Sequence, residues 1–414
     1  ADAKFSDGSP VTAGDVKFSW ETFADPKNKY PSTGTLTPYI KAVNVVDAKT
    51  AAFETTRPDA VIPQRLLRDF CVVPEKAWTA MGVEKFAANP IGVGPYRFKS
   101  FNSKQTLVME SNPYHWSPGK VATVTFQSLP DEAARVAALK SGQVNLAARF
   151  SNDSATSVKS AGKIVQAFPS GQLAGVRIAY SSPNAPDALK DLRVRQAIAY
   201  ALDKTGIVKA IEGDYGLVAN ELCGPNDFGY VPDLKPFPYD PAKAKQLIQQ
   251  AGAQGTKLTM NGILNDVPLI GKTALQAIAD ALNTAGLAIT IEPLEAAVYL
   301  PRVFAGKISP LSSGVLVDTG RDIVQAYSGM MGGPTPAQYA WHTPQIDKLM
   351  AQASAEVDPA KRLPLMQQII KQAYNDIPYV PLGNEQAVTG MDNKVKNFWT
   401  GDWGVPDWVA ISAG

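Results

Sequence analysis

The stretch FSDGSPVTAGDVKFSWE, residues Phe5–Glu21, decides which fold is expected for this chain. Its Asp7-Gly8 dipeptide is typical of a turn, because glycine tolerates a positive φ and aspartate can hydrogen-bond its own backbone. Thr12 is a favourable N-cap residue, since its hydroxyl can accept a hydrogen bond from the free amide of Asp15. The stretch therefore predicts the end of a strand, a turn and a capped helix, whose apolar stripe is formed by Val16, Trp20 and Phe23.

The composition is that of a soluble globular protein. Of the 414 residues, 45% are hydrophobic and 19% are charged, and the net charge is +2. This charge indicates no attraction to nucleic acid or to a membrane surface, and no apolar run approaches the ~20 residues of a membrane span. A chain of this length is expected to form more than one domain.

Hydrophobic periodicity and turn residues predict a mixed α/β chain. Strands are predicted at Lys41–Asp47, Ala51–Thr56, Tyr96–Phe101, Thr106–Glu110, Ala122–Ser128, Val144–Ala148, Leu173–Tyr180, Lys257–Asn261 and Ala288–Glu292. Helices are predicted at Pro74–Met81, 131–140, Leu192–Ala201, Pro241–Ala251, Pro268–Ala285, Pro344–Ser354 and Pro359–Tyr374. The strand–helix alternation after Lys257 indicates a sheet built by crossover connections.

Motifs of catalytic and metal sites are not found in the sequence. His115 and His342 are the only histidines, too few for a His-rich metal site, and we expect His115 to be structural or at the surface. GVGPYR resembles a phosphate-binding loop, but Arg97 stands where a third glycine is needed. DVPLIGKT places Asp266 at the first glycine of another phosphate loop, where a carboxylate would repel phosphate. We therefore expect no catalytic residue, no metal and no cofactor.

The two cysteines, Cys71 and Cys223, lie far apart in the sequence. In an exported protein they could form a disulfide. The alternative that we favour is two separate buried thiols.

Four ordered segments give the chain a resemblance to a known family. They are the opening stretch, NPIGVGPYRFKSF with LVMESNPYHW (Asn89–Trp116), DLRVRQAIAYALDKTGIV (Asp191–Val208) and YDPAKAKQLIQQAG (Tyr239–Gly252). Together they resemble the solute-binding proteins of peptide-type ABC importers, the dipeptide-, oligopeptide- and nickel-binding group. The resemblance implies an α/β, two-lobed periplasmic-binding-protein-like fold with an interlobe cleft and an extra α+β domain. In that family the opening motif lies well inside the mature protein, so we expect the signal peptide and the first strands to be missing here.

The family layout also implies domain boundaries. Residues 1–90 would form the extra domain, residues 91–174 with 384–414 the first lobe, and residues 175–383 the second lobe. Strands near Leu173–Ile178 and Tyr379–Gly383 would cross between the lobes as a hinge.

The resemblance also implies residues of the ligand site. SGVLVDTGRD, Ser313–Asp322, matches the family's G-W-x-x-D segment, which places Asp318 at the aspartate that meets a ligand's ammonium group. Val315 replaces the tryptophan of that segment. The alternative is that Asp318 is a surface acid or an ion-pair partner of Arg321.

Two further stretches bear on the ligand. Dipeptide-type binders have an arginine for the peptide carboxylate in the loop that here reads ILNDV, with Asn265 and Asp266 near its place. Asparagine cannot replace that charge, so an ordinary dipeptide is an unfavourable ligand. Tyr299 and Arg302 fall on the family's helix that borders the cleft, where helix packing and a solvated arginine are the alternative.

The resemblance implies an extracytoplasmic binding component of an ABC importer. It would capture a small polar or amine-bearing ligand, or a peptide, and deliver it to a membrane permease. We expect a monomer that is periplasmic or a cell-surface lipoprotein and that does not bind nucleic acid. A hydrolase on a similar scaffold, and a peptide-holding chaperone or sensor, are the alternatives.

Overall fold

The computed structural model describes residues 2–28, 30, 33–103, 105–224, 227–264, 268–305, 307–317, 322, 341–401 and 406–414. These residues form two compact units. Unit 1 contains the described residues within 1–166, 389–401 and 406–414, and unit 2 contains those within 167–388. The finer division into an extra domain and two lobes stays a prediction.

Unit 1 combines helices with small antiparallel sheets. Its helices are α1 (Ala13–Ala24), α2 (Thr33–Leu36), α3 (Ile62–Asp69), α4 (Glu75–Met81), α5 (Val83–Ala88), α6 (Glu132–Ser141) and α7 (Asn152–Ser160). Its strands are β1 (Ile40–Asp47), β2 (Thr50–Thr55), β3 (Tyr96–Asn102), β4 (Thr106–Ser111), β5 (Thr123–Gln127) and β6 (Leu146–Ala148). β1 pairs with β2, and β3, β4 and β5 form an antiparallel sheet.

The opening stretch folds largely as its sequence predicts. The hydroxyl of Thr12 accepts a hydrogen bond from the amide of Asp15 at 3.2 Å, and the carboxylate of Asp15 accepts one from the amide of Thr12 at 2.8 Å. These reciprocal bonds cap α1, whose apolar stripe packs into a cluster around Trp20. Before α1, the predicted strand is wrong: the chain forms a single bridge between Lys4 and Pro10. The amide of Phe5 donates to the carbonyl of Ser9 and that of Val11 to the carbonyl of Ala3, but Pro10 has no N–H to add to this ladder and α1 begins at Ala13.

Unit 2 is built on one sheet with helices around it. Its helices are α8 (Asp187–Lys190), α9 (Leu192–Ala201), α10 (Lys204–Glu212), α11 (Pro241–Gln250), α12 (Lys272–Thr284), α13 (Ala296–Phe304), α14 (Pro344–Ala355) and α15 (Pro359–Asp376). Its strands are β7 (Ile164–Ile178), β8 (Leu217–Val218), β9 (Lys257–Ile263), β10 (Ala288–Leu294), β11 (Leu311–Val317) and β12 (Tyr379–Met391). The chain passes between the units within β7 and within β12. In unit 1, the short strands β13 (Val395–Lys396) and β14 (Ser412–Ala413) pair with each other.

The strand order of the unit 2 sheet is β10-β9-β11-β7-β12, with β8 paired to β12. β9 is parallel to β10 and to β11, and α12 connects β9 to β10. This arrangement confirms the predicted crossover connections. β11 runs antiparallel to β7, and in unit 1 the end of β12 pairs with β6.

Both faces of this sheet are covered by apolar side chains. A cluster that includes Ile178, Ile198 and Met260 joins the sheet to α9, α11 and α12. A second cluster, which includes Trp341 and Met366, joins β7 and β12 to α14 and α15. This two-sided burial explains why β7 and β12 read as apolar runs rather than as alternating strands.

Some elements differ from the sequence prediction. α12 begins at Lys272 rather than at Pro268. α3, α5, α7, α10 and β11 were not predicted, and β7 begins well before the predicted strand. α7 is rich in serine, threonine and charged residues, so its apolar stripe is too weak to indicate a helix by periodicity.

Cys71 and Cys223 are not joined by a disulfide. Cys223 is buried, as expected, whereas Cys71 is exposed, so the expectation of a buried thiol is wrong at Cys71. Cys71 lies in the extended connection between α3 and α4, outside the packed faces of these helices.

Candidate functional site

The parallel strands β9 and β11 of unit 2 lead to the segments where the sequence predicts ligand contacts. Because parallel neighbours end at the same edge of a sheet, the ends of β9 and β11 lie at one edge of the unit 2 sheet. At this edge Val317 pairs with Gln172 of β7. The predicted site residues that follow these strands lie outside the described residues: Asn265, Asp266, Asp318 and Arg321.

Asp322, a described residue beyond the end of β11, forms a buried ion pair. Asp322 is buried and accepts two hydrogen bonds from the guanidinium group of Arg362 on α15, one of them at 3.0 Å. Asp322 also forms a backbone bridge with Phe228.

The structure places Tyr299 inside unit 2. Its side chain is buried, and its hydroxyl donates a hydrogen bond to the carbonyl oxygen of Ser313 at 2.5 Å. Burial raises the pKa of Tyr299 to about 12, so the hydroxyl stays protonated. The nearby guanidinium of Arg177 opposes this shift in the pKa of Tyr299. The contacts of Tyr299 thus hold α13 against β11.

Arg302, one turn further on α13, is half-exposed. Its guanidinium group lies 3.5 Å from a carboxylate oxygen of Glu292 on β10. The other carboxylate oxygen of Glu292 accepts a hydrogen bond from the amide nitrogen of Asn261 at 2.8 Å. The side chain of Arg302 is 41% exposed and therefore accessible to solvent, and an exposed ion pair of this kind contributes little to stability.

A buried carboxylate pair, which sequence reasoning missed, lies near the edge where β9 and β11 end. Three elements approach each other closely at Gly383 of β12. A Cβ atom at this glycine would lie 2.7 Å from Leu269, which precedes α12, and 3.1 Å from Val208 of α10. Glu212 is one helical turn after Val208, and Glu385 is two residues after Gly383. This spacing puts both acids on the side of that contact.

Glu212 and Glu385 are 7% and 6% exposed. Neither carboxylate oxygen of Glu212 makes a hydrogen bond of normal geometry to another described residue, although the backbone amide of Gln386 lies close enough to act on it. Burial and the charge of Glu385 raise the pKa of Glu212 to about 7, while the amide of Gln386 acts in the opposite direction. An opposite charge beside Glu212 would reverse this shift, which makes the Glu212 carboxylate suited to a cation.

Little in the sequence could have identified this pair. Glu212 follows an apolar helix stripe and precedes Gly213, so it reads as an acid at an exposed helix end. Its burial comes from β12, which is more than 160 residues away in sequence. Glu385 alone had a local sequence signal of an unusual environment, because it is an acidic residue inside the apolar run that forms β12.

The histidines fit structural roles. His115 is buried, its ring lies 3.8 Å from that of Trp116, and its Nδ1 atom is 2.6 Å from the carbonyl oxygen of Ser117. His342 lies 2.7 Å from Asp347 at the surface. Nowhere in the part of the chain that the structure describes do three or more His, Cys, Asp or Glu side chains gather as a metal site.

Within the described ranges, no helix is both long and apolar enough to cross a membrane.

Comparison with known proteins identifies the family. The sequence profile described as bacterial extracellular solute-binding proteins, family 5 Middle, matches residues 1–335. The chain belongs to this family. Its members serve as substrate-binding proteins of ABC importers, and this chain is therefore a substrate-binding protein.

Individual relatives agree with the family. A Brucella ovis protein named as an ABC transporter peptide-binding protein is 27% identical over 434 residues, which cover 97% of this chain and 78% of the relative. The glutathione-binding protein GsiB of Escherichia coli is 24% identical over 419 residues, covering 96% of this chain and 78% of GsiB. The crystal structure of AppA from Clostridium difficile, described as a peptide-binding protein, matches with a TM-score of 0.86 at 21% identity and covers 100% of this chain and 88% of AppA. The predicted α/β periplasmic-binding-protein-like fold is confirmed.

Proposed function

We propose that this protein captures a small amine-bearing ligand, or a short peptide through its amino terminus, and delivers it unchanged to the permease of an ABC importer. The observation that carries the proposal is the buried pair Glu212 and Glu385 near the edge where β9 and β11 end. Burial of the Glu212 carboxylate, whose oxygens make no hydrogen bond to the described residues, is unfavourable, and an ammonium group supplies donors and a positive charge to it.

The residues inferred from the family resemblance extend the same site. Asp318 would add a carboxylate at the end of β11, and Asn265 and Asp266 would add an amide and an acid at the end of β9. The parallel pairing of β9 with β11 supports a common location for the two segments. Leu269, three residues after Asp266, contacts Gly383, which is two residues before Glu385.

The remaining predicted residues would act at the margin of the site. Arg302 is half-exposed and can receive an acidic group of the ligand, in competition with Glu292. Arg321 would neutralise Asp318 when no ligand is bound. Tyr299 would act indirectly, because its hydroxyl positions Ser313 of β11 rather than a ligand.

The relatives support a peptide or a peptide-like ligand, since two of them are named for peptides and one for glutathione. The loop ILNDV has no arginine for a terminal carboxylate, so we expect ordinary dipeptides to bind poorly. The protein would act as a monomer without enzyme activity. It would be released into the periplasm or anchored as a cell-surface lipoprotein.

The experiment begins with native mass spectrometry of the purified protein, which identifies any small molecule that it retains. Calorimetry then compares that molecule, or a tripeptide where none is retained, with its N-acetylated counterpart. We expect the free amine to bind about 10- to 100-fold more tightly, the range of one charge-assisted hydrogen bond. Glu212→Gln and Asp318→Asn should each weaken binding of the amine form by a similar factor.

Asp214→Asn is the matched control, because Asp214 is an exposed acid two residues after Glu212 and its loss changes the net charge equally. We expect this variant to bind as the unmodified protein does. Equal affinity for the amine and its acetylated form would contradict the proposal, as would micromolar binding of ordinary dipeptides.

A further inference from the structure

A cavity within unit 2 lies apart from the acidic pair. The empty space at this site, counted together with the open solvent at its mouth, is about 430 Å³. Its wall is mostly apolar and contains one basic and one acidic side chain that the proposed ligand site does not use, Lys204 and Glu221.

Lys204 is the first residue of α10 and is 6% exposed. Its ammonium group makes no hydrogen bond or ion pair with any residue that the structure describes. Burial alone lowers the pKa of this ammonium group to about 8. Buried lysines are normally paired, so the position is suited to an anion supplied from outside the chain.

Glu221 presents a carboxylate to the same cavity. One of its carboxylate oxygens, Oε2, is buried and has no hydrogen-bond partner among the described residues. Burial raises the pKa of Glu221. No ion pair joins Glu221 to Lys204, so within the described part of the chain the opposite charges occupy separate places on the wall.

Apart from Asn220, the rest of the wall consists of aliphatic and aromatic side chains. The ring of Phe237 stacks on that of Tyr374 with their centroids 4.9 Å apart, and it meets the edge of Tyr200 at 5.3 Å. Leu222 and Leu234 also line the cavity. Such a wall binds an aliphatic group by burying its surface.

We propose that this cavity binds a free amino acid with an aliphatic side chain. The carboxylate of the amino acid would accept hydrogen bonds from Lys204, its ammonium group would donate to Glu221, and its side chain would pack against Phe237, Leu222 and Leu234. A simple carboxylate would leave Glu221 unpaired, and a simple amine would leave Lys204 unpaired. A zwitterion satisfies both groups at once.

This second site does not depend on the proposed function. Lys204 and Glu212 are the first and last residues of α10, so their Cα atoms are about 12 Å apart along the helix axis. Variants at the two ends of α10 can therefore separate the two sites.

Calorimetry with three matched probes tests the inference: L-leucine, 4-methylpentanoate, which lacks the amine, and 3-methylbutylamine, which lacks the carboxylate. We expect L-leucine to bind about 10-fold or more tightly than either analogue. Lys204→Met should abolish the advantage of L-leucine over 3-methylbutylamine. Glu221→Gln should abolish its advantage over 4-methylpentanoate. Glu212→Gln should leave the affinity for L-leucine unchanged.

The number of protons taken up on binding provides a second measurement, which is made on the unmodified protein and needs no variant. At pH 8.5 much of Lys204 is neutral, and a bound carboxylate favours the charged form, so binding of L-leucine should take up a fraction of a proton. This uptake appears as a difference in binding enthalpy between buffers of high and low ionisation enthalpy. Absence of L-leucine binding at millimolar concentration would overturn the inference. Binding without proton uptake, or binding that survives Lys204→Met in full, would overturn it equally.

Discussion

Two buried arginines in unit 2 differ in how many of their guanidinium N–H groups find hydrogen-bond acceptors. The guanidinium of Arg195 donates to the carbonyl oxygens of Asp376, Leu189 and Lys190 at 2.7–2.9 Å and lies 3.9 Å from the ring centre of Tyr180. Arg177 is equally buried, but its Nε atom has no hydrogen-bond partner among the described residues. Burial lowers the pKa of Arg177, whereas the hydroxyl of Tyr299 acts in the opposite direction. Arg195 therefore stabilises the fold, and Arg177 carries an unfavourable burial.

Glu212 gives a prediction about stability and pH. Its pKa is raised from 4.5 to about 7 in the folded protein, so the folded state binds the proton more tightly than the unfolded state. Stability should therefore fall as pH rises from about 4.5 to 7, by at most about 3 kcal/mol. Glu212→Gln cannot ionise, and we expect it to be more stable than the unmodified protein at pH 8 but not at pH 4.5. Urea unfolding at both pH values measures the difference.

Asp214→Asn is again the control, since this exposed acid should change stability by a similar small amount at either pH. A difference between Glu212→Gln and the unmodified protein that stays constant from pH 4.5 to 8 would show that Glu212 is not buried in solution.

The sequence alone indicated the roles of some individual residues and not of others. Thr12 and Asp15 were found because a capping box is local: both partners lie within one helical turn. Glu212 and Lys204 could not be found, because their burial depends on strands and loops far away in sequence. Asp318 was found through the family resemblance alone, and its role stays a prediction.

At the level of elements, the side chain of Tyr379 on β12 connects this strand to β7 and β11. The hydroxyl of Tyr379 lies 2.8 Å from the carbonyl oxygens of both Leu173 on β7 and Gly314 on β11. To reach them, its ring passes directly over Gly175. A Cβ atom at Gly175 would lie 2.3 Å from the carbonyl oxygen of Val380 and 2.6 Å from the Tyr379 ring.

Gly175→Ala should therefore be strongly destabilising. The new methyl group meets backbone as well as a buried ring, and neither can move without breaking the hydrogen bonds of Tyr379. We expect a loss of about 2–4 kcal/mol, in the range of other overpacked or strained core sites. Thermal or urea unfolding measures this loss.

Gly92→Ala is the matched control, because a Cβ atom there would have nothing within 4 Å and its φ is not positive. We expect that change to alter stability by less than about 1 kcal/mol. Equal effects of the two substitutions would mean that the close approach of Tyr379 to Gly175 does not persist in solution.

Elements with strong local signals were predicted well. α9 has the predicted bounds, and α11, α14 and α15 have the predicted starts, the last three because proline at the first helical position marks where a helix begins. α10 was missed because Gly206 interrupts its first turn, although Asp203 caps it. β11 was missed because Ser312, Ser313 and Gly314 weaken its strand pattern, and only its neighbours β7 and β9 make it a central strand.

At the scale of the whole molecule, the sequence predicted the fold class through motifs that are spread from Phe5 to Gly252. These motifs include the helices α1, α9 and α11, which come from three well-separated parts of the sequence. The matched family profile and the AppA structure confirm the class that they indicated. The position of the two chain passages, within β7 and β12, depends on contacts between distant segments and could not be obtained from local patterns.

The last prediction separates a binding protein from an enzyme on the same scaffold. A ligand that binds only the folded state stabilises it by about 2.7 kcal/mol at 100 times its Kd, and the stabilisation grows with the logarithm of its concentration. We expect the amine-bearing ligand to raise the melting temperature in this way and to be recovered chemically unchanged after prolonged incubation. Glu212→Gln should shift the whole concentration series to higher ligand concentration without changing its slope. Mass spectrometry of the recovered ligand provides the decisive measurement: a hydrolysis product that accumulates with the unmodified protein, and not with Glu212→Gln, would mean that Glu212 and Glu385 act on the ligand chemically and that the protein is a hydrolase.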